Sequence, residues 1–207
     1  MKRMLFAAML MVMWAAAAWA DSPLTSTNFS QAYDTHPMVE MASGIEPGDF
    51  IPTTILNFLC DKDSPIDVRL AVINKLGWKF EGNNMAQQLG EYLMKKHKAK
   101  KLDKMYKKLD AGTLCVYAYS KAMSNYFDVN EASQLAHTAV KKDKSHSLSI
   151  ALIDALIEAQ IHLDNDWSKI YPRVANVLHD GSLKLDMRQS AIDIIMEYIG
   201  LYQEYVK

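Results

Sequence analysis

The sequence lacks the short motifs by which many enzymes and metal-binding proteins are recognised. Its two cysteines and six histidines form no Cys-x-x-Cys or His-x-x-x-His spacing. It contains no glycine-rich phosphate loop and no Gly-x-Ser-x-Gly turn of the kind that carries a nucleophilic serine. No segment shows the alternation of apolar and polar residues that is typical of β-strands. The missing strand pattern favours an all-α protein, and no motif assigns it a reaction. Binding of other molecules is one hypothesis for its role. A helical enzyme whose site is assembled from distant residues is the alternative.

The first 20 residues have the organisation of a secretory signal peptide. Two basic residues precede an uninterrupted apolar run over residues 5–18, and Ala18 and Ala20 occupy the positions that signal peptidase reads. A retained membrane anchor is the alternative, but the run is near the lower limit of about 18 to 20 residues for a span. We therefore expect cleavage of residues 1–20, a mature chain that begins at Asp21, and an extracytoplasmic location, either periplasmic or secreted.

The remaining chain has two parts that differ in composition. Residues 21–50 are rich in proline, glycine, serine and threonine, which predicts an irregular lead-in with at most a short helix at Met38–Ala42. From residue 51 onward, helical segments follow one another with short connections, which makes successive helices antiparallel neighbours. We therefore predict one helical domain over residues 51–207.

One helical pattern recurs along this domain. The segments DVRLAVINKL at Asp67, SLSIALIDAL at Ser147 and DMRQSAIDII at Asp186 align, and TLCVYAYSKA at Thr113 is a degraded fourth copy. Spacings near 40 residues are typical of helical solenoids. The copy at Ser147 opens the most apolar predicted helix, Ser147–Leu163, which must pack against neighbours on several sides.

The Asp-Val-Arg at Asp67 and the Asp-Met-Arg at Asp186, each followed by small and apolar residues, resemble the second helix of a HEAT-type repeat. The resemblance implies a HEAT-like α-solenoid of about four stacked antiparallel helix pairs, whose grooves bind other macromolecules. A non-repetitive helical bundle is the alternative. If the two segments are equivalent, Ile73 and Ile192 are both buried.

Asp154, Glu158 and His162 stand at i, i+4 and i+8 on the predicted central helix. Two carboxylates and an imidazole can hold a divalent metal or perform acid–base chemistry, which gives an alternative hypothesis of an enzyme or a metal-binding protein. We favour a solvent-exposed stripe, because ligand sets usually draw on more than one element. No cofactor is predicted.

Two further side-chain sets have alternative interpretations. Cys60 and Cys115 form an even pair that invites a disulfide in an oxidising compartment, but buried free thiols fit their apolar surroundings equally well. Tyr198, Tyr202 and Tyr205 share a face of the predicted last helix, from residue 185 to residue 205. Core packing is the favoured interpretation, and a protein-contact stripe is the alternative because tyrosine is enriched at interfaces.

The strongest functional signal is a run of basic residues between 95 and 108, here called the lysine segment. An apolar stripe that includes Leu102 and Met105 predicts that this segment docks on the protein with its charges outward. A solvated face, or a counter-surface for the acidic residues before it, is one interpretation. A binding site for an anionic protein, glycan or lipid headgroup is the other, and nucleic acid is not expected outside the cytoplasm. The lysines concerned are Lys95, Lys96, Lys98, Lys100, Lys101, Lys104, Lys107 and Lys108.

Overall fold

A computed structural model of the chain describes residues 22–78 and 84–206. The predicted signal peptide lies outside these residues. Within them the chain forms helices and no strand, so the predicted all-α fold class is confirmed. None of the described helices combines the length and the apolar character that a bilayer crossing needs. The α-helices are α1 (Pro37–Ser43), α2 (Thr53–Leu59), α3 (Ile66–Gly77), α4 (Met85–Lys96), α5 (Leu102–Lys108), α6 (Ala111–Ser124), α7 (Asn130–Lys142), α8 (Leu148–Leu163), α9 (Ile170–Leu178) and α10 (Gln189–Ile199).

Short 3-10 helices complete the described secondary structure. They span Phe29–Tyr33, Trp167–Lys169 and Gly200–Tyr205. The last of them directly continues α10, so the predicted single helix to residue 205 changes its winding at Gly200. This places Tyr202 and Tyr205 on a tighter turn than Tyr198.

The most apolar helix, α8, is surrounded by other helices, as its composition predicts. It packs against α6, α7 and α9 and also contacts α3. Ser147 caps its start by accepting a hydrogen bond from the N–H of Ile150 at 3.2 Å, which satisfies one of the free donors of the first turn. Its buried residues include Leu152, Ile153, Leu156 and Ile157, all 0% exposed.

The helices that precede α8 pack closely through small residues. Helix α6 contacts α3, α4, α7 and α8. A side-chain carbon at Gly77 would lie 2.7 Å from Cβ of Met123, so only glycine allows α3 and α6 to approach this closely.

Ile73 on α3 is 0% exposed and Ile192 on α10 is 6% exposed, which confirms that both are buried.

The aligned segments do not all begin their helices at the same point. Asp67 is the second residue of α3, whereas Asp186 lies three residues before α10. Asp186 instead accepts hydrogen bonds from Ser149, from its N–H at 2.9 Å and from its hydroxyl at 3.0 Å. The predicted helix start near residue 185 is therefore wrong, because the chain before α10 pairs with the first turn of α8.

The lead-in is more ordered than its composition predicts. It holds the first 3-10 helix and α1, and its fully buried side chains include Leu24, Phe29 and Tyr33. The 3-10 helix contacts both α3 and α10. The lead-in therefore fills a space between an early and a late helix, and these three side chains belong to the core.

Candidate functional site

The lysine segment covers the end of α4, the following turn and α5. Lys98 has a φ of 49°, and this left-handed residue separates the two helices. Met105 and Leu109 are 0% and 2% exposed, so they anchor the segment to the core as the apolar stripe predicts. Leu102 is 40% exposed and contributes less. All eight lysines of the segment are exposed.

Most of these lysine side chains have no hydrogen-bond or ion-pair partner among residues 22–78 and 84–206. Lys96 Nζ donates to the carbonyl oxygen of Cys60 at 3.0 Å, and Lys108 Nζ donates to that of His97 at 2.7 Å. Both carbonyls lie at helix ends, where positive charge is favourable. Within the described ranges none of the eight forms an ion pair with a carboxylate, including those of the acidic lead-in. The counter-surface interpretation therefore has no contact to support it there.

Two lysines of the segment lie close enough to His97 to affect its titration. Burial lowers the pKa of His97, and the neighbouring charges of Lys96 and Lys108 lower it further. Like charges held together in this way repel one another in the free protein. An anion that binds among them relieves that repulsion.

A basic pocket of about 460 Å³ lies beside the lysine segment, at the starts of α6 and α8. Its acidic lining residues are Asp110, Asp143 and Asp186, and each accepts hydrogen bonds from backbone N–H groups at or near these helix starts. Their charges are therefore engaged with the helix ends. The basic residues that line the pocket are Lys62, Arg69, Lys142, Lys144 and Lys184.

Arg69 is the buried member of this pocket, with 2% exposure. Its Nη1 reaches the carbonyl oxygen of Leu59 and the hydroxyl of Thr113, both at a long 3.4 Å, and its Nε has no hydrogen-bond partner among the described residues. A side chain at Gly112 would come within 2.4 Å of Nη2, so glycine makes room for the guanidinium. Burial lowers the pKa of Arg69, and the nearby carboxylate of Asp110 opposes that shift. The sequence pattern around Arg69 does not indicate a site residue.

The pocket and the lysine segment are joined through the end of α2. Arg69 binds the carbonyl of Leu59, and Lys96 binds the carbonyl of the next residue, Cys60. Lys142, another lining residue, donates to the carbonyl oxygen of Leu109, the residue that follows α5. The basic side chains of the pocket and of the segment thus lie on connected parts of the surface.

A separate cluster of titratable side chains lies between α7, α8 and α9. Asp154 and Glu158 lie on α8, and Arg173 from α9 bonds to both, to Asp154 Oδ2 at 2.8 Å and to Glu158 Oε2. His137 from α7 approaches from the other side, with Nδ1 3.2 Å from Asp154 Oδ1 and 3.4 Å from Glu158 Oε1. Burial raises the pKa of Asp154, and the charges of Arg173 and His137 oppose that rise.

This cluster corrects the sequence-based interpretation of the row Asp154, Glu158 and His162. A solvent-exposed stripe is wrong for Asp154, which is 2% exposed because α7 and α9 flank it. His162 lies outside the group whose ligand atoms are within 4.8 Å of one another, and His137 takes its place. Sequence spacing could not indicate His137 or Arg173, because each comes from a different helix.

The terminal tyrosines are partly core and partly surface. Tyr198 and Tyr202 are 9% and 8% exposed, and their hydroxyls lie 2.9 Å apart. Tyr205 is 39% exposed and packs edge-on against the exposed ring of Trp167. Together these four rings line a groove of about 780 Å³. Core packing accounts for the first two tyrosines, and the groove leaves Trp167 and Tyr205 open to solvent.

Cys60 and Cys115 are both free and both buried, so the structure contains two buried thiols rather than a disulfide. Burial raises the pKa of the Cys60 thiol to about 11. It raises that of Cys115 even further. Neither thiol is therefore suited to act as a nucleophile near neutral pH.

The lysine segment with its neighbouring pocket and the cluster around Asp154 are two places in the described part of the chain where charged side chains from several elements meet. The first can attract an anion, and the second combines two carboxylates with an imidazole. Comparison with protein-family models, with curated proteins and with solved structures finds no match to this chain.

Proposed function

We propose that this protein is an exported helical scaffold that binds an anionic partner, a protein or another anionic macromolecule, through the lysine segment. The observation that carries the proposal is the exposure of eight lysines, none of which pairs with a carboxylate of the described residues. Clustered charge of one sign raises the local concentration of oppositely charged partners and speeds their association. Binding rather than catalysis is the role that this surface serves.

The scaffold is a HEAT-like stack of antiparallel helix pairs. Contacts within the pairs α2–α3, α4–α6, α7–α8 and α9–α10 support this arrangement, with α5 as an addition after α4. Contacts between second helices, α3 with α6 and α6 with α8, support the stacking of one pair on the next. In this arrangement the lysine segment covers the end of the first helix of the second pair and the added helix α5.

The neighbouring pocket extends the binding surface. Four of its basic residues are lysines, and the fifth, Arg69, is a buried guanidinium whose Nε has no partner in the part of the chain that the structure describes. Burial of a guanidinium is costly, and the nearby carboxylate of Asp110 offsets only part of that cost, since burial still lowers the pKa of Arg69. An acidic group of the partner that enters this pocket reduces that cost. The positive charge of the lysine segment attracts the rest of the partner over a longer range.

The proposed location outside the cytoplasm is inferred from the signal-peptide pattern of residues 1–20. The partner is therefore sought outside the cytoplasm. The experiment is a capture with purified protein from extracytoplasmic extract, followed by mass spectrometry. In the test variant Lys100, Lys101, Lys104 and Lys107 become Gln, because none of these four side chains makes a hydrogen bond or ion pair with a described residue. The helix is expected to persist, since lysine and glutamine have similar helix propensities.

A matched variant with the same four lysines changed to Arg keeps the charge and serves as the control. We expect the Gln variant to capture much less of the partner and the Arg variant to capture as much as the wild type. Equal capture by all three proteins contradicts the proposal and directs the search to the groove of Trp167 and Tyr205.

A further inference from the structure

Helices α7 and α8 bring one potential metal ligand from each of three side chains to the same point. Nδ1 of His137 lies 3.2 Å from Oδ1 of Asp154 and 3.4 Å from Oε1 of Glu158. One ligand atom from each of the three residues lies within 4.8 Å of the other two. Asp154 and Glu158 are one helical turn apart, and His137 faces them from the neighbouring helix. We propose that His137, Asp154 and Glu158 bind a zinc-type divalent cation.

The spacing of these atoms is the first argument. Zinc binds histidine nitrogen and carboxylate oxygen at about 2.0 to 2.2 Å in a tetrahedral arrangement, which holds neighbouring ligand atoms about 3.3 to 3.5 Å apart. The two distances from His137 Nδ1, 3.2 and 3.4 Å, fall at this separation. The ligands are therefore arranged for the cation with little movement of either helix.

The position of Arg173 is the second argument. Its guanidinium bonds to Asp154 Oδ2 and to Glu158 Oε2, so it occupies the oxygens that point away from His137. Oδ1 and Oε1 remain directed at the imidazole. Hydrogen bonds from outer residues commonly fix the orientation of ligating carboxylates in this way. Two carboxylates and one guanidinium also leave one negative charge for a cation to neutralise.

Access and ligand type decide which cation suits the site. The side chain of His137 is 49% exposed, while those of Asp154 and Glu158 are 3% and 25% exposed. The site therefore opens to solvent on the histidine side, where water can complete the coordination as in other three-ligand zinc sites. An imidazole ligand favours zinc over magnesium, which prefers oxygen ligands alone.

The alternative is an ion-pair network without a metal, in which Nδ1–H of His137 donates to the two carboxylates. Proton and cation compete for the same lone pair of Nδ1, so the two states exclude each other. The site lies on α7, α8 and α9, away from the residues of the lysine segment. The metal proposal is consequently independent of the proposed binding function and stands or falls separately.

The test is calorimetric titration of the untagged, metal-free protein with ZnCl₂ and, separately, with MgCl₂. We expect saturable binding of one zinc ion per chain and no heat from magnesium. His137→Ala should weaken zinc binding by about 10-fold or more, since it removes a direct ligand. His162→Ala, which removes the histidine one turn beyond Glu158 on the same helix, is the matched control and should bind as the wild type does.

A thermal unfolding series separates lost binding from lost folding. His137 is half exposed, so His137→Ala should fold, and its Tm without metal should lie close to that of the wild type. Zinc should raise the Tm of the wild type and of His162→Ala but not that of His137→Ala. Absence of zinc binding in the wild type, or equal binding by His137→Ala and the wild type, overturns the proposal and leaves an ion-pair network.

Discussion

The hydroxyl of Tyr33 donates a hydrogen bond to Oδ2 of Asp67 at 2.9 Å, and this contact fastens the lead-in to α3. The same hydroxyl accepts from the N–H of Arg188 at 3.1 Å, and the Arg188 guanidinium lies 4.4 Å from the centre of the tyrosine ring. Arg188 also donates to the carbonyl of Ala32 at 2.7 Å. One tyrosine thus connects the first and the last of the aligned Asp-x-Arg segments. The lead-in is part of the fold because Tyr33 bonds it to segments near both ends of the helical domain.

Removal of the Tyr33 hydroxyl should weaken this connection. Tyr33→Phe leaves the N–H of Arg188 and one oxygen of Asp67 without their partner, which we expect to cost about 1 to 3 kcal/mol. Urea unfolding measures the difference. Tyr171→Phe, at a half-buried tyrosine with no hydrogen bond to a described residue, should change the stability by less than about 0.5 kcal/mol. Equal effects of the two changes would show that the Tyr33 contacts do not stabilise the protein.

The buried isoleucines of the first and last aligned segments should contribute comparably to stability. Ile73→Ala and Ile192→Ala each leave a cavity and should cost about 2 to 5 kcal/mol. Lys75→Ala should cost at most about 1 kcal/mol, since it removes only the surface ion pair with Asp34 at 2.9 Å. Chemical denaturation of the three variants tests this, and a small loss at either isoleucine contradicts its position in the core.

Arg173 should stabilise the protein by pairing with a buried carboxylate. Arg173→Met leaves Asp154, 3% exposed, without its cationic partner. Breaking a buried pair costs about 3 to 5 kcal/mol, and we expect about 2 to 4 here because Arg173 is 27% exposed. Arg173→Lys keeps the charge and should recover part of the loss. Unfolding in metal-free buffer provides the measurement, and a Met variant as stable as the wild type would refute the role.

Both thiols should be counted as free after denaturation without reductant. In the folded protein Cys60 is 8% exposed, and burial raises its thiol pKa to about 11. Alkylation requires the thiolate, so native Cys60 should react slowly at neutral pH and faster as the pH rises toward 11. Rapid reaction at pH 7 would contradict this environment. A count of zero thiols would establish a disulfide instead.

Local signals in the sequence predict where the helices lie better than they predict which residues of different helices are in contact. Ser147 before a long apolar run predicts α8 to within one residue, because a capping side chain and an apolar pattern act within a few residues. The same signals place Met105 in the core and the lysines outside. The pattern at Asp186 misleads, since its carboxylate binds Ser149 rather than starting a helix.

The cluster around Asp154 could not be predicted from spacing alone. It depends on how α7 and α9 are rotated against α8, which brings His137 and Arg173 to one row of that helix. Packing of large side chains along three helices sets those rotations. The site at Arg69 could not be predicted from the sequence for the same reason, because Gly112 on another helix provides the space for its guanidinium.

The most direct test of the proposed function is the salt dependence of partner binding by the wild type and by the variant with Lys100, Lys101, Lys104 and Lys107 changed to Gln. Affinity is measured by biolayer interferometry from low salt to about 0.15 M, where charges are screened over about 8 Å. The account predicts that wild-type affinity falls steeply with salt, while the Gln variant binds weakly at every concentration with a shallow slope. Identical affinities and slopes for the two proteins would contradict an anion-binding role for the lysine segment.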